Sequence, residues 1–409
     1  MINGFACGND PIQNTRALQE ALDTLGSVLI DMPGVYPLGD TVFLRSGMRL
    51  CGVPGVVFQR VHPEGMEYVG NAFINEGAFT GERDCGIELS DFTLDVNGVE
   101  SSRPSPENPK RIPGARGHIC FVYVKDLTMR NVRIVGVEPK DYAFGVSDFE
   151  NVMMDGLYAE GLKDGVHLGP GRGFVLKNSA FRTYDDPIAL NASDYSRSNP
   201  NLGTIEDGLI ENCTDLNQES TTGLFVRMLV GAWTDWMPGM IVRNSDAVVH
   251  KGRLYRVYMD PDGKSYRSVT PPEFERGFAQ LDGITWIRTN LDGNVPYKAE
   301  IKNITFRNLH MNKDRGAAIL VYCNDDDYLH SYREGAPVPV VSGLVFDGIT
   351  VDANVHIGEH IQFYSPVADA QFRGVTEEIR VVQKQQSFLP PFDCDIRLID
   401  SPGVRVIRK

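Results

Sequence analysis

The 409-residue chain is short of most features that assign a protein quickly. No apolar run approaches the roughly 18 residues that cross a bilayer, so no membrane-spanning helix is expected. Cationic residues are outnumbered, 40 Lys and Arg against 54 Asp and Glu, for a formal charge of -14. Nucleic acids and anionic membranes are held mainly by cations that neutralise phosphate, so neither is an expected partner. The seven cysteines (Cys7, Cys51, Cys85, Cys120, Cys213, Cys323 and Cys394) lie far apart, without the short CxxC or HxxxH spacing of structural zinc. They read as mostly buried thiols, and neither a cofactor nor a bound metal is expected. The stretch after Met1, Ile-Asn-Gly-Phe-Ala-Cys-Gly, is too short and polar for a secretory h-region. The expectation is a cytoplasmic protein, or a secreted one whose leader has been removed.

Helical signals are also scarce. Asn14-Thr15 precedes apolar Ala17, Leu18, Ala21, Leu22 and Leu25, and Gly26 closes the run, which predicts one amphipathic, capped helix. Beyond it the chain reads as short strands, Ser27 to Asp31, Thr41 to Leu44, Arg49 to Gly52 and Val56 to Arg60 among them. Each is bounded by Gly, Pro, Asn or Asp, and 41 glycines and 24 prolines are spread along the whole length. A pattern of alternating strand followed by Asn or Asp recurs at Asn131, Asp155, Asn178, Asn212, Asn244, Asn308 and Asp347. Its period of roughly twenty-odd residues, with insertions, is that of a stacked repeat. The short amide or carboxylate side chain suits a left-handed backbone where one strand bends into the next. The predicted fold is all-β, a single-stranded right-handed parallel β-helix over residues 1–409 with an N-terminal capping helix. Two long insertions, near 193–204 and 253–276, are predicted as loops walling a cleft.

Two neighbouring repeats carry LysAspGlyValHisLeu around Asp164 and TyrAspAspProIleAlaLeu around Asp185 and Asp186. They stand one period apart, and stacked strands lie roughly 4.8 Å apart, so the three carboxylates should share one patch. Clustered acids repel, and the proton that one of them then retains is what a general acid needs. Glycoside hydrolysis uses such a set: one carboxyl protonates the leaving oxygen while a carboxylate activates water or attacks the anomeric carbon. Outward splay would give the roughly 6.5–9.5 Å of an inverting pair. Clustered carboxylates also suit calcium, a lesser alternative.

These motifs resemble those of the polygalacturonases, glycoside hydrolase family 28 of the pectin-lyase-like superfamily. LysAsp164Gly is similar to the family's Asn-Thr-Asp, and TyrAsp185Asp186 to its Gly-Asp-Asp. The segment GlyAsnAspProIleGlnAsnThrArgAlaLeuGlnGluAlaLeuAsp is similar to a common opening of the superfamily. The resemblance implies an inverting hydrolase of a polysaccharide or oligosaccharide, with Asp185 as general acid and Asp164 and Asp186 activating water. Two family motifs are altered. Thr222-Gly223 stands where Gly-His-Gly is expected. Trp286-Ile-Arg288 replaces Arg-Ile-Lys, leaving Arg288 to hold a substrate carboxylate and Trp286 to stack on a less acidic sugar.

Other residues are candidates for the substrate cleft. Arg227 can supply a hydrogen bond to substrate or pair with a neighbouring acid. Trp233 and Trp236 can form a sugar platform, and His250 can line the cleft. His167 is expected on the face opposite Asp164, buried or stacked. Alternatives within the fold are an exo-acting α-galactosidase or a dextranase-like enzyme. From other classes come a calcium-dependent polysaccharide lyase and a non-catalytic carbohydrate-binding β-helix. Oligomeric state is not encoded in any of these features.

Overall fold

The computed structural model describes residues 4–218 and 221–409. The chain winds into a right-handed parallel β-helix whose strands stack in three parallel columns. Helix α1 (Pro11–Leu25) covers the first rung by burying Leu18 and Leu22. Its cap differs from the sequence reading. Asp10 accepts from the Gln13 N–H at 2.9 Å and Pro11 opens the first turn, while Asn14 and Thr15 lie buried inside the helix. Gly26, at φ 68°, ends it as expected.

Inward-facing apolar residues stack rung upon rung. In the column that carries the site, register pairs run Val42, Phe73, Ile119, Phe144, Val166, Ile188, Val226, Ile319 and Ile361. All are buried, and each such side chain contributes about 1.5–3 kcal/mol relative to exposure. Phe306, Phe346 and Phe372 stack face to face along another column, with centroids 5.3 and 4.6 Å apart.

Bends between columns are marked by left-handed residues in vertical register. Asn131, Gly156, Asn178, Asn212, Asn308 and Gly348 all have positive φ, between 49° and 88°. The amides also bond along the axis: Asn178 donates to Asp155 at 2.8 Å, Asn212 to Asn178 at 3.1 Å, and Asn308 to Asn212 at 3.2 Å. The sequence reading is displaced by one residue at Asp155 and Asp347, where the following glycine takes the left-handed turn. Asn244 lies outside the coil, and its amide donates to the Tyr328 carbonyl at 2.9 Å.

The segment expected as a loop at 253–276 is part of a larger excursion. The chain leaves the coil after Leu229 and rejoins it at Ile301, and its neck is the antiparallel pairing of Gly231–Ala232 with Lys298–Ala299. Between them lies a five-stranded sheet: Thr234–Asp235, Ala247–His250, Arg253–Val257, Ile284–Thr289 and Phe278–Leu281. Lys251-Gly252 and Asp282-Gly283 make its tight hairpins, with positive φ at both residues of each. The excursion has its own core around Trp286, Tyr255, Val257, Val248 and Ile284. The 193–204 segment is irregular but packed inside, with Asp194, Ser196, Ser198, Asn199 and Leu202 buried.

Candidate active site

The site lies where two rungs turn into the same strand column. Val166 pairs with Ile188 and Ile188 with Val226. The Gly165 N–H donates to the Asp186 carbonyl at 2.9 Å, which stacks Asp164 directly over Asp186. Asp185, one residue earlier in its turn, is left facing outward. One oxygen from each of Asp164, Asp185 and Asp186 lies within 4.8 Å of the others. This is closer than the splayed separation expected from the sequence. The physical reason is axial stacking, since residues in register stand one strand spacing apart.

Burial divides the three. The Asp164 and Asp186 side chains are 2 % exposed and that of Asp185 is 18 % exposed, so Asp185 presents the carboxylate most open to a ligand. Lys163 forms an ion pair with Asp185 and lies 3.4 Å from Asp164. Arg227 reaches Asp186 at 3.3 Å and Asp194 at 2.7 Å. His167 meets Asp164 at 3.2 Å through Nδ1 and Asn199 Oδ1 at 2.9 Å through Nε2, and stacks on Tyr142 with centroids 4.2 Å apart. His167 is thus buried and stacked as expected, but on the same side as Asp164. Asp164 sits in the turn before the strand, and Gly165 breaks the alternation that would have separated them.

Four carboxylates meet two fixed cations, Lys163 and Arg227, so the cluster has room for a proton. Burial pushes Asp164 up, but Lys163, the His167 hydrogen bond and Arg227 outweigh it and hold this acid well below the ordinary carboxylate range. Burial also pushes Asp186 up, and there it prevails: the Asp164 charge reinforces it against Arg227, the Leu224 N–H and Lys163. Arg227 is driven down by burial, yet Tyr322, Asp194, Asp186 and Asp164 together keep it firmly protonated. The two stacked acids, Asp164 and Asp186, therefore differ in proton affinity.

The next rung closes against the cluster. The Leu224 N–H donates to Asp186 Oδ1 at 2.8 Å. Gly223 has φ 69°, and a side chain there would place its Cβ 2.5 Å from Asp186 Oδ1 and 2.6 Å from Asp185 Oδ1. Thr222 is exposed beside it, and its carbonyl accepts from Arg315 at 2.6 Å. The position expected to hold a histidine thus carries backbone packed against the two carboxyls.

The remaining candidates are placed elsewhere. Trp286 is fully buried in the core of the excursion and offers no face to a sugar. Trp233 is buried with its indole N–H on the Pro296 carbonyl at 2.8 Å, and Trp236 is buried with its N–H on Ser268 at 2.9 Å. His250 pairs with Glu273 at 3.0 Å. Arg288 packs over the Tyr255 ring and donates to the Leu254 carbonyl at 3.1 Å. Among the described residues none of these five bonds to the aspartates. The excursion carries Trp236 and Trp286 into its own core, whereas Trp233, beside its neck, packs in the core of the coil.

Lys163, Asp194, Asn191 and Asn199 were not singled out from the sequence. Asn191 donates to Asp194 at 2.6 Å and its carbonyl accepts from Asn199. Lys163 was legible as the neighbour of Asp164. The others belong to the 193–204 segment and its preceding strand end, whose inward folding no local pattern announces. Beyond Arg116 opens a cavity of about 300 Å³ lined by Arg103, Arg111, Arg116, Lys140 and Arg197, by Asp141 and Asp260, and by Tyr195, Tyr258 and Tyr328; Arg111 pairs with Asp141, and Arg103 and Arg197 with Asp260. Arg116 joins it to the site by packing over Tyr142 at 4.8 Å and donating to the Tyr142 hydroxyl at 3.2 Å.

The fold is that of pectin-lyase-like β-helix proteins. The chain is similar to endo-xylogalacturonan hydrolase from Aspergillus tubingensis at 12% identity and TM-score 0.50, covering 99% of this chain and 92% of that one. It is also similar, at TM-score 0.46 and 12% identity, to PfbA, a surface adhesin of Streptococcus pneumoniae, over 99% and 89% of the two chains. A family 28 exopolygalacturonase from Yersinia enterocolitica matches at TM-score 0.46 and 11% identity, over 100% and 76%. No family model and no curated protein sequence matches the chain. Identities this low speak for the fold alone.

Proposed function

We propose that this chain is a glycoside hydrolase acting on a polysaccharide or oligosaccharide, with Asp185 protonating the leaving oxygen and Asp164 and Asp186 orienting and activating water. The observation that carries this reading is the convergence of three carboxylates from two successive rungs, with one oxygen of each within 4.8 Å of the others. Inversion, implied by the resemblance to polygalacturonases, usually sets the carboxyls roughly 6.5–9.5 Å apart. The tighter cluster supports a water held jointly by Asp164 and Asp186 rather than one lying between two opposed groups.

One observation favours a second distribution of roles. Burial raises the Asp186 carboxyl, while Asp185 pairs with Lys163; in this second reading Asp186 is the acid and Asp185 the base. Asp185→Asn and Asp186→Asn separate the two on glycan oligosaccharides and on aryl glycosides with good leaving groups. Loss of the acid spares the activated substrates by removing their need for protonation, whereas loss of the base abolishes both activities. The primary expectation is that Asp185→Asn loses about 10²–10⁴-fold on oligosaccharides and much less on aryl glycosides. Full activity of this variant on both substrates would remove the assignment. Product size distinguishes exo from endo action, the anomer first released reports the stereochemistry, and an ultraviolet-absorbing unsaturated product would mean a lyase.

A further inference from the structure

A second cavity, of about 370 Å³, lies between the rung loops and the excursion. Its lining includes Arg111, Arg276 and Arg288 and no aspartate or glutamate; Phe79, Phe278 and Leu291 are among its apolar walls. The volume is within the range of small-molecule sites.

The arginines are poorly matched by the protein itself. Arg288 and Arg276 form no ion pair among the described residues; Arg288 donates to the Leu254 and Thr289 carbonyls, and Arg276 to the Thr80 carbonyl at 2.9 Å. Arg111 gives one N–H to Asp141 at 3.0 Å, but its Nε and second terminal nitrogen are buried without a hydrogen-bond partner. Burial depresses the Arg288 guanidinium, with the Arg253 charge acting the same way and only partly offset by Tyr255. Buried guanidinium groups are stabilised by planar anions that accept two hydrogen bonds at once. The remaining walls reward a flat apolar body.

From this lining we infer that the cavity binds a small aromatic monocarboxylate, the ring against Phe79, Phe278 and Leu291 and the carboxylate toward the arginines. The site is separate from the three aspartates, and binding there does not depend on whether the chain hydrolyses glycans. Its first discriminating feature is charge: an aromatic amide has the same shape as the acid but cannot pair with the arginines.

Isothermal titration of the full-length chain with 2-naphthoate and with 2-naphthamide tests the inference. The acid should bind roughly tenfold or more tighter than the amide. Arg288→Gln should weaken the acid by about tenfold or more and leave the amide unchanged. Because Arg288 also holds backbone carbonyls, Arg276→Gln at the exposed rim provides a second variant that spares the packing, with a smaller loss expected. Asp185→Asn should bind naphthoate as the unaltered chain does. Equal binding of acid and amide, no binding of the acid at millimolar concentration, unchanged affinity in both arginine variants, or loss of binding in Asp185→Asn would each overturn the inference.

Discussion

Asp148 is a buried carboxyl with no lysine or arginine ion pair among the described residues. Burial pushes it up to about 7; hydrogen bonds from Asn201 and Ser147 oppose the rise, and the Asp292 charge adds to it. Raising a carboxyl above its unfolded value means that the folded state keeps a proton the unfolded chain releases. Its contribution to stability is therefore fully present below the unfolded value of 3.8 and is lost as pH rises through about 7. Each tenfold change in proton affinity corresponds to about 1.4 kcal/mol, which makes the loss on the order of 4 kcal/mol. Asp148→Asn keeps an amide at a position with φ 52°, which asparagine tolerates, and removes the titration. Thermal unfolding should show the unaltered chain losing stability between about pH 4 and pH 7 and the variant losing much less, so that the variant is the more stable at pH 8. Parallel profiles for the two proteins would count against this account.

At the scale of the element, the asparagine ladder performs two tasks with one side chain. Asn212 has φ 52°, and its amide donates to Asn178 while accepting from Asn308. Asn212→Gly retains the backbone freedom and loses the bonds, whereas Asn212→Ala loses both. The expected order is a cost of about 1 kcal/mol for glycine and about 2–3 kcal/mol for alanine, measured by denaturant unfolding. An alanine variant no less stable than the glycine one would show that the left-handed turn carries no strain. This ladder was legible in the sequence because its period is local and regular. So were the strands Arg49–Gly52 and Val56–Arg60, whose bounds match the reading, and the stacking of Asp164 on Asp186. The excursion was legible too, through the hairpin signals Lys251-Gly252 and Asp282-Gly283. Weighting them would have removed Trp286 and Arg288 from the coil register. His167 and Asp194 were harder to place, because a turn glycine resets alternation for the first and a buried irregular segment carries the second.

At the scale of the molecule, a solenoid gains stability from contacts between neighbouring rungs, so distant parts need not unfold together. We propose that the excursion and the central rungs nevertheless form one cooperative unit within the chain. Arg256, on an excursion strand and fully buried, donates to the Asn199 carbonyl at 2.6 Å and to the Asp194 carbonyl. Asn290 reinforces the junction by accepting from the Leu202 N–H at 3.0 Å and donating to its carbonyl at 2.7 Å. Asp194 and Asn199 in turn hold Arg227 and His167 beside the aspartates. Their placement thus depends on a residue that does not bond to the trio. Arg256→Ala leaves two buried carbonyls unpaired and a cavity between the two bodies, at a cost of roughly 2–5 kcal/mol. Calorimetry should show the shared transition of the unaltered chain splitting in the variant, with the excursion melting first, and hydrolysis falling although all three aspartates remain. Retention of one transition and full activity would mean that the two bodies hold the site independently of Arg256.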